Sequence, residues 1–307
     1  MHENATDGFP TDYLLARIRG RQTALISDWQ SLIEERLAPE ASDERIWEAL
    51  LRELEWLHAQ MNHGLRDMFA PLFALFEIKT IVLCLRNKAI RRTTEIERLL
   101  ERSLLADRLK EILRRGADVR STIAALVDAM ADASDAFREL ESVYAEGNLQ
   151  GFENGLMRVY LQEVAAKHLD PAMKMFFVLF TDLRNVMLLY KHLRWGVDGP
   201  CLFIRGGTDE PSRLLAILAR RDTAALDDLV RGVTGLETMS VATSEGALET
   251  VLLRSMTRRL AKLRHTTEGV GLIVVYVWRI YVQARNLAVL HHATDLDPQT
   301  LERELIL

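Results

Sequence analysis

Three polar residues crowd into four positions of "FTDLRNVMLLYK", residues 180–191: Asp182, Arg184 and Asn185, inside a run that is otherwise apolar. An acid, a base and an amide so close together could serve three ends. They could transfer protons in general acid–base catalysis, line a wetted wall, or form an architectural brace. Some such role is required, because a buried charge without a partner costs more than a marginally stable fold can carry.

The cluster recurs, and the recurrence narrows the choice. "FEIKTIVLCLRNK" starts at Phe76 and "YVQARNLAVLHHA" at Tyr281. Glu77, Asp182 and Gln283 align; two positions on come Lys79, Arg184 and Arg285; then Thr80, Asn185 and Asn286. Helical spacing puts Ile78, Ile81, Val82 and Leu85 on one face, as it does Leu183, Val186, Met187 and Tyr190, and Ala284, Leu287, Ala288 and His291. The polar pairs Glu77/Thr80, Asp182/Asn185 and Gln283/Asn286 lie on the neighbouring face. Catalytic groups have no reason to appear three times at this interval. A brace within each repeat, or a contact with a partner, does.

Other constellations fail on chemistry. Gly206-Gly207 has no following lysine and Gly269-Val270-Gly271 has no third glycine, so neither cradles a phosphate. Asp227-Asp228 begins a near-match to a Mg²⁺-binding DDxxD, but Arg231 occupies the last ligand position. His291-His292 with Asp295 lacks the spacing that converges two imidazoles on a metal, and reads as a solvated helix end. The basic run "ARIRGRQ", residues 16–22, has no interleaved aromatics for base stacking. No cofactor, metal or nucleic acid is expected, and no catalysis.

These residues must be positioned by helices. Apolar residues recur at Ile46, Leu50, Leu51, Leu54 and Leu57 with the period of one helical face. "RSTIAALVDAMADASDAFRELESVYAEG" and "GALETVLLRSMTRRLAKL" read the same way. Asp170-Pro171 places an N-cap before a first-turn proline, opening a helix that ends near Trp195 with Gly196 beyond it. Asp297-Pro298 opens the last helix. Residues 270–277 are rich enough in β-branched side chains to suit a strand, yet they run into a helical pattern and are read as helix. No hairpin dipeptide appears. The chain is therefore expected to be all-α. Each motif helix is followed by a polar loop and a short capped helix ("TTEIERLL", "TDEPSRLLAIL", "DPQTLEREL"), giving three similar helical repeat units over residues 1–105, 106–209 and 210–307.

Composition agrees. The chain has 307 residues, 49% hydrophobic, with only 16 Gly and 7 Pro, so long uninterrupted elements are expected. A net charge of −5 gives no reason to expect nucleic acid. Cys84 and Cys201 lie far apart and read as small core residues of a reducing compartment. The polar, acidic first residues fit neither a signal nor a transit peptide. The stretch from Val270 reads as the most apolar, but Arg279 and Arg285 cut it, so no membrane span is expected.

The opening "YLLARIRGRQTALI" from Tyr13, the motif helices with "DLRN" and "ARNL", and the ending "DPQTLERELI" together resemble the C subunit of V/A-type ATPases, the family of the eukaryotic subunit d. The resemblance spans the whole chain. It implies an all-α, funnel-shaped protein of three similar domains about a pseudo-threefold axis, without catalytic activity. It also implies a place in a central rotor, with the D and F shaft subunits lodged in the funnel and the membrane proteolipid c-ring beneath. Such a subunit lies on the cytoplasmic side and couples ATP turnover to movement of H⁺ or Na⁺. On this basis Glu77, Lys79, Thr80, Asp182, Arg184, Asn185, Gln283, Arg285 and Asn286 are candidates to line the shaft socket. The sequence departs from the family pattern at Thr80, at Gln283 and at apolar Ile280, which weakens the case for charged contacts by the third copy. The other reading is a helical-repeat scaffold of a different soluble complex.

Overall fold

A computed structural model describes residues 8–34, 42–144, 147–196, 201–235, 244–265, 269–293 and 296–307. These form α1 (Thr11–Gln22), α2 (Trp29–Glu34), α3 (Asp43–Gln60), α4 (His63–Ala89), α5 (Thr93–Arg102), α6 (Asp107–Arg115), α7 (Val119–Ala131) and α8 (Leu140–Tyr144). Then follow α9 (Leu149–Ala165), α10 (Pro171–Trp195), α11 (Pro211–Arg220), α12 (Thr223–Thr234), α13 (Glu245–Ala261), α14 (Val270–His292) and α15 (Pro298–Glu304). No strand occurs among the described residues, and the fold is all-α.

Local chemistry sets the boundaries. Asp170 accepts the Ala172 N–H to open α10, and Gly196 closes it in the left-handed region at φ 55°. Asp297 accepts the Thr300 N–H ahead of α15. Ser42, Asn62, Asp222 and Ser244 cap α3, α4, α12 and α13 in the same way. Two of the three short helices expected to carry caps do not: Arg92 before α5 and Glu210 before α11 make no capping hydrogen bond. The single helix expected around residues 120–147 is broken. Ser134 turns the chain after α7 by accepting the Ala136 N–H, and a 3-10 segment, Asp135–Glu139, leads into α8. A side chain that caps locally outcompetes helix continuation there.

The contacts divide the chain into two compact units: described residues of 1–10 with 42–164, and of 11–41 with 165–307. In the first, α3, α4 and α5 pack together and α6 and α7 close on α4. Trp47, Leu51, Leu54, Leu57, Phe69 and Leu72 are all but inaccessible, each worth about 1.5–3 kcal/mol of apolar burial. Tyr160 of α9 donates its hydroxyl to the Pro71 carbonyl inside α4. In the second, α10 packs on α12, α13 and α14, while α1 and α2 lie against α14 and α15. Trp278, Tyr276, Phe176 and Tyr190 fill its centre.

Over its whole length α14 is more apolar than α4, while α4 holds the more apolar 18-residue stretch. Both are long and apolar enough to cross a membrane, but most of the α4 window and half of the α14 window are buried within the protein. Glu77, Thr80 and Asn87 of α4 are buried and hydrogen-bonded internally. The pattern is that of a core helix.

Candidate functional site

The motif lies in the C-terminal half of α4, α10 and α14, and its polar side chains turn inward onto the protein's own backbone. Glu77 is 2% exposed. Its carboxylate accepts the Ser103 hydroxyl at 2.7 Å and the Leu104 N–H at 2.6 Å. Asp182, 5% exposed, accepts both the hydroxyl and the N–H of Thr208 at 2.6 Å. Gln283 stands where the other copies have an acid, and its side-chain oxygen accepts the Ile26 N–H at 2.8 Å.

The three N–H donors share a position. Each lies three residues ahead of a helix: 104 before α6 at 107, 208 before α11 at 211, 26 before α2 at 29. Ser103 and Thr208 also stand the same 26 residues beyond the acid they bind. A short side chain from the motif helix thus pins the entry to a later helix in two copies, and to an earlier one in the third. By this register α11 corresponds to α6, while α5 precedes the pinned loop; the pairing of α5 with α11 expected from the sequence is one element out of step.

The second polar position works as a clamp. Asn185 donates to the Ile204 carbonyl and accepts the Ile204 N–H, both at 2.8 Å. Asn286 does the same to Ile306, at 3.0 and 2.9 Å. An amide, with an acceptor oxygen and a donor nitrogen side by side, can satisfy both backbone groups of one residue at once. In the first copy the corresponding stretch is α5, whose backbone satisfies itself, and Thr80 instead accepts the Trp47 indole N–H at 3.1 Å. The departure from asparagine at Thr80 follows from that difference.

Electrostatics mark these groups as structural. Burial pushes the Glu77 carboxyl above its ordinary value, against the lowering effect of bonds from Ser103, Leu104 and Thr80. Burial raises Asp182 likewise, opposed by Thr208. Neither carboxylate has open access to solvent, and each oxygen is committed to a loop. Gly207 is what lets Thr208 approach: a Cβ there would lie 2.4 Å from the Asp182 Oδ1.

The basic positions differ. Lys79 is exposed, with Nζ 4.5 Å from the centre of the Trp47 ring. Arg285 donates to the Glu304 carbonyl at 3.1 Å. Arg184 is half-buried. The apolar face beside the motif is closed in α4 and α10, but Leu287, Ala288 and His291 of α14 remain partly exposed.

Elsewhere, Asp228 is held by Arg231, the residue that spoils the DDxxD match. The His291 and His292 rings meet edge to face, centres 5.0 Å apart; Asp295 lies outside the described residues. Among the described residues no three metal-ligating side chains converge. What the sequence did not disclose are the far ends of the braces: Ile204, Ile306, Ile26 and Trp47 carry no motif. The hydroxyls Ser103 and Thr208, at equal intervals from Glu77 and Asp182, are the signal that could have found two of them.

Among curated proteins none matches the chain. A sequence model described as the ATP synthase (C/AC39) subunit matches residues 16–298, which takes in all three motif copies. The chain belongs to the ATP synthase (C/AC39) subunit family, subunits of V/A-type ATPases.

Proposed function

We propose that the protein is a non-catalytic central-rotor subunit of a rotary V/A-type ATPase, seated between the D/F shaft and the membrane proteolipid c-ring. It transmits torque between ATP turnover and H⁺ or Na⁺ translocation from the cytoplasmic side of the membrane. The family match over residues 16–298 carries this reading. Two features support it. The recurring acid–base–amide cluster, the best candidate for chemistry in the chain, spends its acids and amides on internal braces. A coupling part also needs stiffness, and pinned loops on densely packed helices resist deformation.

We further propose three similar repeats over residues 1–105, 106–209 and 210–307. The support is the common register of the pinned loops, which places helix starts at 107 and 211, beside the two internal boundaries.

The test is a detergent pull-down of the tagged chain from native membranes, with partners identified by mass spectrometry. Recovery of a D/F-type shaft together with a small proteolipid is the expected result. Recovery of soluble partners alone, with an intact rotary ATPase lacking this chain in the same membranes, overturns it.

A further inference from the structure

The three basic positions of the motif are not equally employed. Lys79 sits on the Trp47 ring. Arg285 reaches the Glu304 carbonyl and the Thr250 hydroxyl at 3.1 and 3.4 Å, with the Glu249 carboxylate at 3.8 Å. Arg184 is half-buried, and among the described residues it has no hydrogen-bond or ion-pair partner. A guanidinium carries five donors and stays charged, so partial burial without an acceptor is a cost that a bound anion would remove.

The surroundings specify the anion. One helical turn to either side on α10 lie Phe180 and Leu188, both part-exposed. Across on α14 stands Tyr281, its ring 5.2 Å from Trp278. Burial raises the Tyr281 hydroxyl, and Glu249, Arg285 and Arg184 all act on it electrostatically. Glu249 is the acid among them, and it is drawn toward Arg285. Arg184 is left without it, a half-buried guanidinium flanked on α10 by the part-exposed Phe180 and Leu188. This patch fits a protein segment with an acidic side chain between apolar ones. A free phosphate gains nothing from Phe180 and Leu188.

We infer that Arg184 is the docking residue for a carboxylate on the D/F shaft, with Phe180 and Leu188 taking the apolar residues beside it. The inference rests on the rotor reading and narrows nine candidate socket residues to one. The other eight have partners within the chain or, as with Lys79, lie on an aromatic ring.

Affinity of the purified chain for the purified D–F shaft of the same complex, measured by calorimetry across a salt series, tests it. Arg184→Met keeps length and apolar stem while removing charge; Arg184→Lys keeps charge but not the fork; Arg220→Met is an exposed control on α11. The expected result is a loss of about tenfold or more for Arg184→Met with a shallower salt dependence, a smaller loss for Arg184→Lys, and none for Arg220→Met. Wild-type binding that ignores salt overturns the inference even if Arg184→Met misfolds. Equal affinity of wild type and a folded Arg184→Met overturns it while leaving the rotor reading standing. A wild-type chain that does not bind the shaft overturns the rotor reading itself.

Discussion

Asn286 holds Ile306 by both of its backbone groups, donating to the carbonyl at 3.0 Å and accepting the N–H at 2.9 Å. Asn286 is fully buried and Ile306 nearly so. Asn286→Ala therefore orphans two buried backbone groups and is expected to cost about 2–4 kcal/mol. Asn286→Asp keeps the acceptor but turns a carboxylate toward a carbonyl, and the loss is expected to be at least as large. Urea denaturation read by tryptophan fluorescence checks both. A change within about 0.5 kcal/mol of wild type for Asn286→Ala, the range of an indifferent surface substitution, would sink the clamp.

Glu77 and Gln283 perform one task with different protonation chemistry. Because burial raises the Glu77 carboxyl above 4.5, the folded chain holds its proton at a pH where the unfolded chain has released it. Its contribution to stability is full below 4.5 and is lost as pH rises through the folded-state value. Lys110, whose charge acts on Glu77, opposes the shift but does not cancel it. Glu77→Gln copies the side chain that already accepts the Ile26 N–H in the third repeat. The variant is expected to match wild type near pH 4 and to gain on it as pH rises toward neutrality. Melting curves from pH 4 to 8 decide; a difference that does not change with pH refutes the assignment.

Much of this was legible beforehand because it is local. Asp170-Pro171 and Gly196 mark both ends of α10, and periodicity finds α3, α4 and α14 without any tertiary knowledge. The triple motif is visible because its residues sit within four consecutive positions. Its purpose is not, since the partners are backbone groups of apolar residues such as Ile204 and Ile306, and a backbone group leaves no trace in residue type. The break after α7 was hidden for a similar reason: Ser134 looks like an ordinary helix-surface residue until its side chain is seen to cap the next turn.

Two glycines should respond to alanine with opposite signs. A Cβ at Gly207 would stand 2.4 Å from the Asp182 Oδ1 and 3.3 Å from the Thr181 Cγ2, so the loop must withdraw and lengthen its bonds to Asp182. A loss of about 1–3 kcal/mol is expected for Gly207→Ala. Gly232, inside α12, has nothing within 4 Å of its virtual Cβ, and Gly232→Ala should gain about 0.5–1 kcal/mol from helix propensity. Denaturation midpoints of the two variants, measured side by side, check the pair; a neutral Gly207→Ala would mean the loop is not held as closely as its hydrogen bonds indicate.

Arg91 and Arg221 occupy backbone that glycine prefers. Their φ values are 58° and 50°, and both end a helix in the same way. The Arg92 N–H reaches back to the Asn87 carbonyl and the Asp222 N–H to the Ile217 carbonyl, while Arg91 and Arg221 bond to Lys88 and Leu218. This is the Schellman closure, in which the left-handed residue is usually glycine because a Cβ crowds the following carbonyl. Both arginines are exposed, so little packing is lost on truncation. Glycine also frees the unfolded chain, which offsets part of the relief. The net expectation for Arg91→Gly or Arg221→Gly is a gain of about 0.5–1 kcal/mol, with asparagine between arginine and glycine. A loss in both glycine variants would show that the arginine side chains contribute more to the fold than their exposure and backbone strain imply.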